Sequence, residues 1–149
     1  MSTIRIDDVL NIIEQKHIMV FATSSLNIVT ARTMSVIAKD RKIYFQTDES
    51  MLKIDQIKRN PNVAFCFDNI QMQGLARIIG NWDKNPTILR EYLKVHKSSY
   101  EKFKNLKAEI VVETELKRIE MWEYRENKPY LIRIDLDKSE IVEEEYKLP

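Results

Sequence analysis

Glycine is scarce: Gly74 and Gly80 are the only two in 149 residues, where average usage of about 7% would give roughly ten. A dinucleotide-binding turn needs three closely spaced glycines, and a P-loop needs a Gly-rich run before lysine. In both, backbone amides must reach phosphate oxygens with no Cβ in the way. Neither can be assembled here. No Gly-x-Ser-x-Gly occurs, which removes the nucleophile elbow. Cysteine and histidine are equally sparse. Cys66 alone excludes an intrachain disulfide, and with His17 and His96 it cannot complete a Cys/His zinc site, although carboxylates by themselves can hold a hard cation. No metal is therefore expected. Side chains this poor in nucleophiles and bases leave a bound cofactor to carry any reaction.

An excess of either charge is missing as well. Lys plus Arg total 24 against 23 Asp plus Glu, interleaved along the chain, so no strong field is available for a nucleic acid. No apolar run approaches the length that spans a bilayer, and no membrane partner is expected. With 44% hydrophobic and 32% charged residues, the composition is that of a soluble globular protein. The length suits a single domain over residues 1–149. The segment Met1 to Asp8 carries acidic residues and lacks the pattern of a secretory signal, which leads to a cytoplasmic expectation.

What is present is mostly β texture. Ile6, Val9, Leu10 and Ile13 recur at helical spacing and predict an amphipathic helix ending near His17, where a positive charge suits the dipole. Strands are then expected over Ile18 to Thr23, Ile28 to Ala38 and Lys42 to Thr47, with turn residues around Asn27 and Asp40 between them. Met51, Ile54 and Ile57 mark a helix opened by Asp48 or Ser50 as N-cap and stopped before Pro61. Val63 to Phe67 reads as a wholly apolar strand with Cys66 as a small core hydrophobe. The alternation from Ile70 to Gly74 puts Gln71 and Gln73 on one face. Asn85 and Pro86 open a long helix to Phe103, with His96 packed on its apolar stripe. Strands over Glu109 to Thr114, Leu116 to Tyr124, Tyr130 to Leu136 and Glu140 to Tyr146 complete the chain. Too few helices separate the strands for a βαβ pattern. The fold class expected is mainly β: a six-stranded antiparallel split β-barrel of Greek-key type with flanking α-helices.

Four segments in order carry a resemblance: Thr30-Ala31-Arg32-Thr33-Met34-Ser35, Ile43-Tyr44-Phe45-Gln46-Thr47, Met51-Leu52-Lys53-Ile54-Asp55-Gln56-Ile57 and Asn60-Pro61-Asn62-Val63-Ala64. Together with Arg118-Ile119-Glu120-Met121-Trp122, the series resembles the pyridoxamine 5′-phosphate oxidase-like family of split barrels that bind flavin mononucleotide (FMN). Its size is similar to the short branch that includes nitroimidazole-resistance (Nim) proteins. The resemblance implies FMN held by Arg32, Thr33, Met34 and Ser35 on one strand, Gln46 and Thr47 on another, Leu52 and Lys53 at a helix start, and Gln71 or Gln73 facing the ring. It also implies a homodimer with the flavin at the subunit interface, Trp122 and Arg133 approaching from the partner chain.

Elementary chemistry agrees with part of this. Arg32 follows a turn, and Lys53 lies in the first turn of a helix where free amides favour an anion, so the two suit a phosphate clamp. Departures also exist. Lys128 and Tyr130 stand where the authentic oxidase has the Arg and His that hold its substrate, and Met51-Leu52-Lys53 replaces Ser-Arg-Lys. The function the resemblance implies is therefore an FMN-dependent oxidoreductase other than the authentic oxidase. It would pass electrons from a reduced nicotinamide or similar donor to a small-molecule substrate, a nitroaromatic being the acceptor that the branch suggests. A flavin-binding stress or sensor protein without turnover is the alternative, and relatives of this architecture that bind haem or a deazaflavin leave the ligand open.

Overall fold

The structure is a computed structural model that describes residues 4–106 and 108–149. Helix α1 (Ile6–Glu14) leads into two hairpins, β1 (Ile18–Ser25) with β2 (Ile28–Ser35) and β3 (Ile37–Lys39) with β4 (Lys42–Asp48). Helix α2 (Leu52–Arg59) precedes β5 (Asn62–Phe67) and β6 (Ile70–Ile78). A 3-10 turn (Trp82–Lys84) and α3 (Pro86–Phe103) follow, then β7 (Glu109–Arg125), β8 (Lys128–Asp135) and β9 (Glu140–Glu145). The nine strands form one antiparallel sheet, ordered β2-β1-β5-β6-β7-β4-β3, with β8 added to β7 and β9 to β8. The mainly β expectation holds. The expected strand from Ile28 to Ala38 is instead two, β2 and β3, broken at Val36, and the two strands expected within 109–124 are one, β7.

With so little glycine, the tight turns are made by other residues. Leu26 and Asn27, Asp40 and Arg41, and Glu126 and Asn127 all take positive φ between adjacent strands. These are the two-residue positions whose left-handed backbone matches strand twist, and Asn and Asp tolerate them best after glycine. Inside, Phe21, Phe45 and Phe65 meet with ring centroids 4.6 to 6.4 Å apart. Met19, Ile43, Met72 and Ile119 pack in the same core.

Cys66 departs from its expected place. Large side chains alternate with small ones along β5, so Val63, Phe65 and Phe67 turn inward while Cys66 is exposed on the outer face. The period of two was present inside the apolar run.

Two local features bend the sheet. At Val36 the backbone is gripped from both sides: its N–H donates to the His17 carbonyl at 2.8 Å, and its carbonyl is bonded to His96 Nε2 at 2.8 Å. His96 is also where α3 kinks, at φ −117° and ψ 35°. The packed role expected for His96 holds. His17 lies beyond the end of α1, and burial, then the nearby His96, hold its imidazole below the ordinary value of 6.5, so the favourable dipole charge is not what it supplies. At the second bend, the register of β6 against β7 shifts between Gln73 and Gly74. A Cβ on Gly74 would lie 2.4 Å from the Glu115 carbonyl oxygen and 2.8 Å from Thr114 Cγ2.

Both bends are testable. Gly74→Ala is expected to destabilise the protein by about 1–3 kcal/mol through overpacking, read as a lower midpoint in urea unfolding. For His17, a folded-state pKa below the unfolded one means that the unfolded chain binds more protons. Stability is then complete above about pH 6.5 and lost as pH falls through and below it. Thermal melts are expected to show that slope, reduced in His17→Gln.

Candidate functional site

Helix α2 is docked by one side chain. Gln56 is 1% exposed, and its Oε1 accepts from Thr23 Oγ1 at 2.5 Å and Thr30 Oγ1 at 2.7 Å, while its Nε2 donates to the Ile28 carbonyl at 3.2 Å. Thr23 and Thr30 are directly opposed on β1 and β2. Arg32 completes the network: Nη1 donates to Thr23 Oγ1 at 2.9 Å and the Phe21 carbonyl at 3.2 Å, and Nη2 donates to Thr30 Oγ1. Every one of these acceptors is neutral.

The result is a charge imbalance. Lys53, in the first turn of α2, is 6% exposed, and its Nζ donates to Thr47 Oγ1 at 3.2 Å. Burial first, and the positive charge of Arg32 second, hold the Lys53 ammonium below the ordinary lysine range; Asp48 opposes this weakly. Burial likewise lowers Arg32. Neither cation has a carboxylate within ion-pair distance among the described residues. Beside them the helix start is open. The expected cap by Asp48 or Ser50 does not form, because Asp48 Oδ1 is taken by the Ser50 amide at 2.8 Å and hydroxyl at 2.6 Å. Met51 occupies the N-cap position without a side-chain acceptor, which leaves first-turn amides, Leu52 and Lys53 included, for another partner. One buried cation, Lys53, one half-buried cation, Arg32, and a bare helix N-terminus together suit an anion.

A cleft of about 320 Å³ opens alongside. One wall is Thr33, Met34 and Ser35 on β2, which among the described residues pairs with β1 alone and so leaves its other edge of N–H and C=O groups without a strand partner there. A second wall is Gln46, Thr47 and Asp48 on β4, with Met51. Tyr92, Ser99, Phe103 and, just past the helix, Leu106 close the third side. Gln46 Oε1 accepts the Trp82 indole N–H at 3.0 Å. The Tyr92 hydroxyl is pushed up to about 12 by burial and then by Glu109, so it stays a neutral phenol. A cleft of this size, with an anion site at one end and a strand edge along one wall, suits a planar ligand that carries carbonyl and N–H groups and a phosphate.

Of the residues expected to act together, the structure brings Arg32, Thr33, Met34, Ser35, Gln46, Thr47 and Lys53 to this cleft and its rim. Leu52 contributes position rather than a side chain, which is exposed. Gln71 and Gln73 share the outer face of β6 as expected. Following the register Thr33, Val20, Cys66, Gln71, Gln71 lies three strands from Thr33, about 14 Å at ~4.8 Å per strand. Trp122 lies elsewhere, edge-on to Tyr146 at 5.4 Å. Gln56, Thr23, Thr30, Trp82 and Tyr92 were not anticipated. The threonines had a signal, being placed symmetrically about the Asn27 turn; Trp82 had none, because its partner Gln46 is far away in sequence.

No family model matches the chain, and no curated protein matches it. Solved structures do. A pyridoxamine 5′-phosphate oxidase-related, FMN binding protein from Nostoc punctiforme is 16% identical over 89% of this chain and 87% of its own, with a TM-score of 0.65. General Stress Protein 26 from Bacillus anthracis is 20% identical over 78% and 92%, TM-score 0.63. A NimC/NimA family protein from Clostridium acetobutylicum is 13% identical over 94% and 92%, TM-score 0.55. The chain therefore has the fold of pyridoxamine 5′-phosphate oxidase-like proteins, with a Nim-type protein among the structures that share it.

Because Lys53 is buried without a counterion, its charge costs stability until an anion arrives. Lys53→Met is expected to stabilise the ligand-free protein by about 1–2 kcal/mol, roughly 2–8 °C in melting temperature. Pyrophosphate is expected to raise the melting temperature of the unaltered protein and to raise that of the variant much less, Arg32 and the α2 amides remaining. Calorimetry on both proteins, with and without the anion, checks the pair.

Proposed function

We propose that the chain binds FMN in the cleft between β2 and β4 and works as a cytoplasmic, homodimeric flavin oxidoreductase. The observation that carries this reading is the pair of uncompensated cations, Lys53 buried and Arg32 half-buried, beside an uncapped helix start and an open strand edge. Arg32, Lys53 and the first amides of α2 hold the phosphate. The edge of β2 over Thr33 to Ser35 meets the carbonyl and N–H groups of the ring, and Gln46 and Thr47 reach the ribityl portion. The FMN-binding relative of the same fold supports the choice of ligand.

The barrel reading follows the same line. With β2 and β3 counted as one strand bent at Val36, the paired path returns on itself as a six-stranded split barrel, and β8 and β9 extend it. The outer face of β1, β2 and β6 exposes Ile18, Val20, Val29 and Leu75, apolar side chains of the kind a second subunit covers. Gln71, Gln73 and Trp122 would then serve the flavin held by the partner chain.

FMN, when bound, supplies hydride acceptance from a reduced nicotinamide and electron transfer to a small organic acceptor, a nitroaromatic in this proposal. The protein binds and orients it, and Met34, Met51, Phe103 and Leu106 limit water at the cleft.

The test is an absorption titration with FMN, followed by NADH or NADPH under anaerobic conditions. A bound-flavin spectrum that bleaches with nicotinamide, from a protein that runs as a dimer in light scattering, is expected. A bound spectrum that does not bleach makes the protein a flavin-binding module, and no uptake overturns the site. Lys53→Met is expected to weaken FMN about 10- to 150-fold, the worth of one charged hydrogen bond.

A further inference from the structure

Gln46 carries a donor with no acceptor. Its Nε2 is shielded from solvent and has no hydrogen-bond partner among the described residues, which is uncommon for a buried amide. The side-chain orientation is not arbitrary. An indole N–H only donates, so Trp82 must meet the carbonyl end of the amide, and the NH₂ end is left facing away. Trp82 is itself firmly placed: it is 3% exposed and lies against Tyr92 at 4.8 Å. The turn that carries it is fixed by Asn81, which accepts from the Lys84 amide, and by Asn85 Nδ2, which donates to the Ile79 and Asn81 carbonyls at 3.0 and 2.8 Å.

The side of the strand matters too. Gln46 alternates with Thr47 on β4, so it sits on the face shared with Tyr44, Trp82 and Tyr92, whereas Thr47 turns toward Lys53. The orphaned donor is therefore across the strand from the two cations. We propose that Trp82 is a positioning residue that fixes Gln46 as a hydrogen-bond donor to a neutral acceptor of the flavin, on its ring or ribityl chain and not on its phosphate. Without Trp82 the amide is free to present either end; with it, Gln46 offers only a donor, which a ligand atom with a lone pair can meet. This inference rests on the cleft being the flavin site.

The test compares FMN with riboflavin, which lacks the phosphate, by fluorescence titration of the unaltered protein, Trp82→Phe, Gln46→Glu and Lys53→Met. Trp82→Phe is expected to weaken both flavins by the same factor, about 3- to 10-fold. Lys53→Met, by contrast, weakens FMN alone. Gln46→Glu keeps the Trp82 partner but turns an acceptor toward the ligand, so both flavins weaken further. Lowering the pH is expected to restore part of that affinity, because the protonated carboxyl regains a donor; a loss of structure gives no such rescue. If melts show that Trp82→Phe is poorly folded, the pH profile of Gln46→Glu decides. Unchanged affinity in both variants, or a loss confined to FMN, overturns the assignment while leaving the flavin site standing. Failure of the unaltered protein to bind either flavin overturns both.

Discussion

The Gln56 carbonyl is the acceptor on which the site depends. By accepting hydrogen bonds from Thr23 and Thr30 together, it joins α2 to the hairpin of β1 and β2 and leaves both hydroxyl oxygens to accept from Arg32. A hydrophobic residue there would also bury α2, but it would take from the Thr23 and Thr30 hydroxyls the acceptor they share in a shielded place. The same docking brings Lys53 close enough to Arg32 for their charges to repel. Helix placement and charge placement are thus a single event.

The three walls of the cleft are coordinated through one peptide unit or its neighbours. β2 ends just before Val36, and α3 reaches the cleft through Ser99 and Phe103 after kinking at His96. The Val36 carbonyl and the His96 ring are hydrogen bonded to each other. The helix kink is thereby tied to the residue that follows the strand carrying Thr33 to Ser35. The strain accepted here has the form expected of a binding site: charges without counterions, a donor without an acceptor and a helix without a cap.

Much of this was legible in the sequence. Period-two alternation placed Gln71 and Gln73 on a common face, Asn85 and Pro86 set the start of α3 to the residue, and Asn27 and Asp40 marked turns. Of the four segments that carry the resemblance, the first three run along the cleft and its rim, while the fourth, Asn60 to Ala64, lies away from it. What stayed hidden depended on competition between partners distant in sequence. Asp48 is a good helix cap by type, yet Ser50 takes its carboxylate first. Ile28 to Ala38 is uniformly strand-like, and nothing local announces that two histidines clamp Val36. Cys66 was misread because a run of five apolar residues hides its own alternation.

The length of β7 has a bearing on time. It is the one strand that pairs with β4, β6 and β8 alike, and it comes late in the chain. While the protein is being synthesised, β4 has only the three residues of β3 beside it until β7 emerges. Long-range pairings of this kind make for slow folding, since loop closure must precede the contacts that reward it. The nascent chain therefore spends most of its synthesis with an open strand edge and a half-built aromatic core, the condition in which aggregation competes with folding and chaperones act.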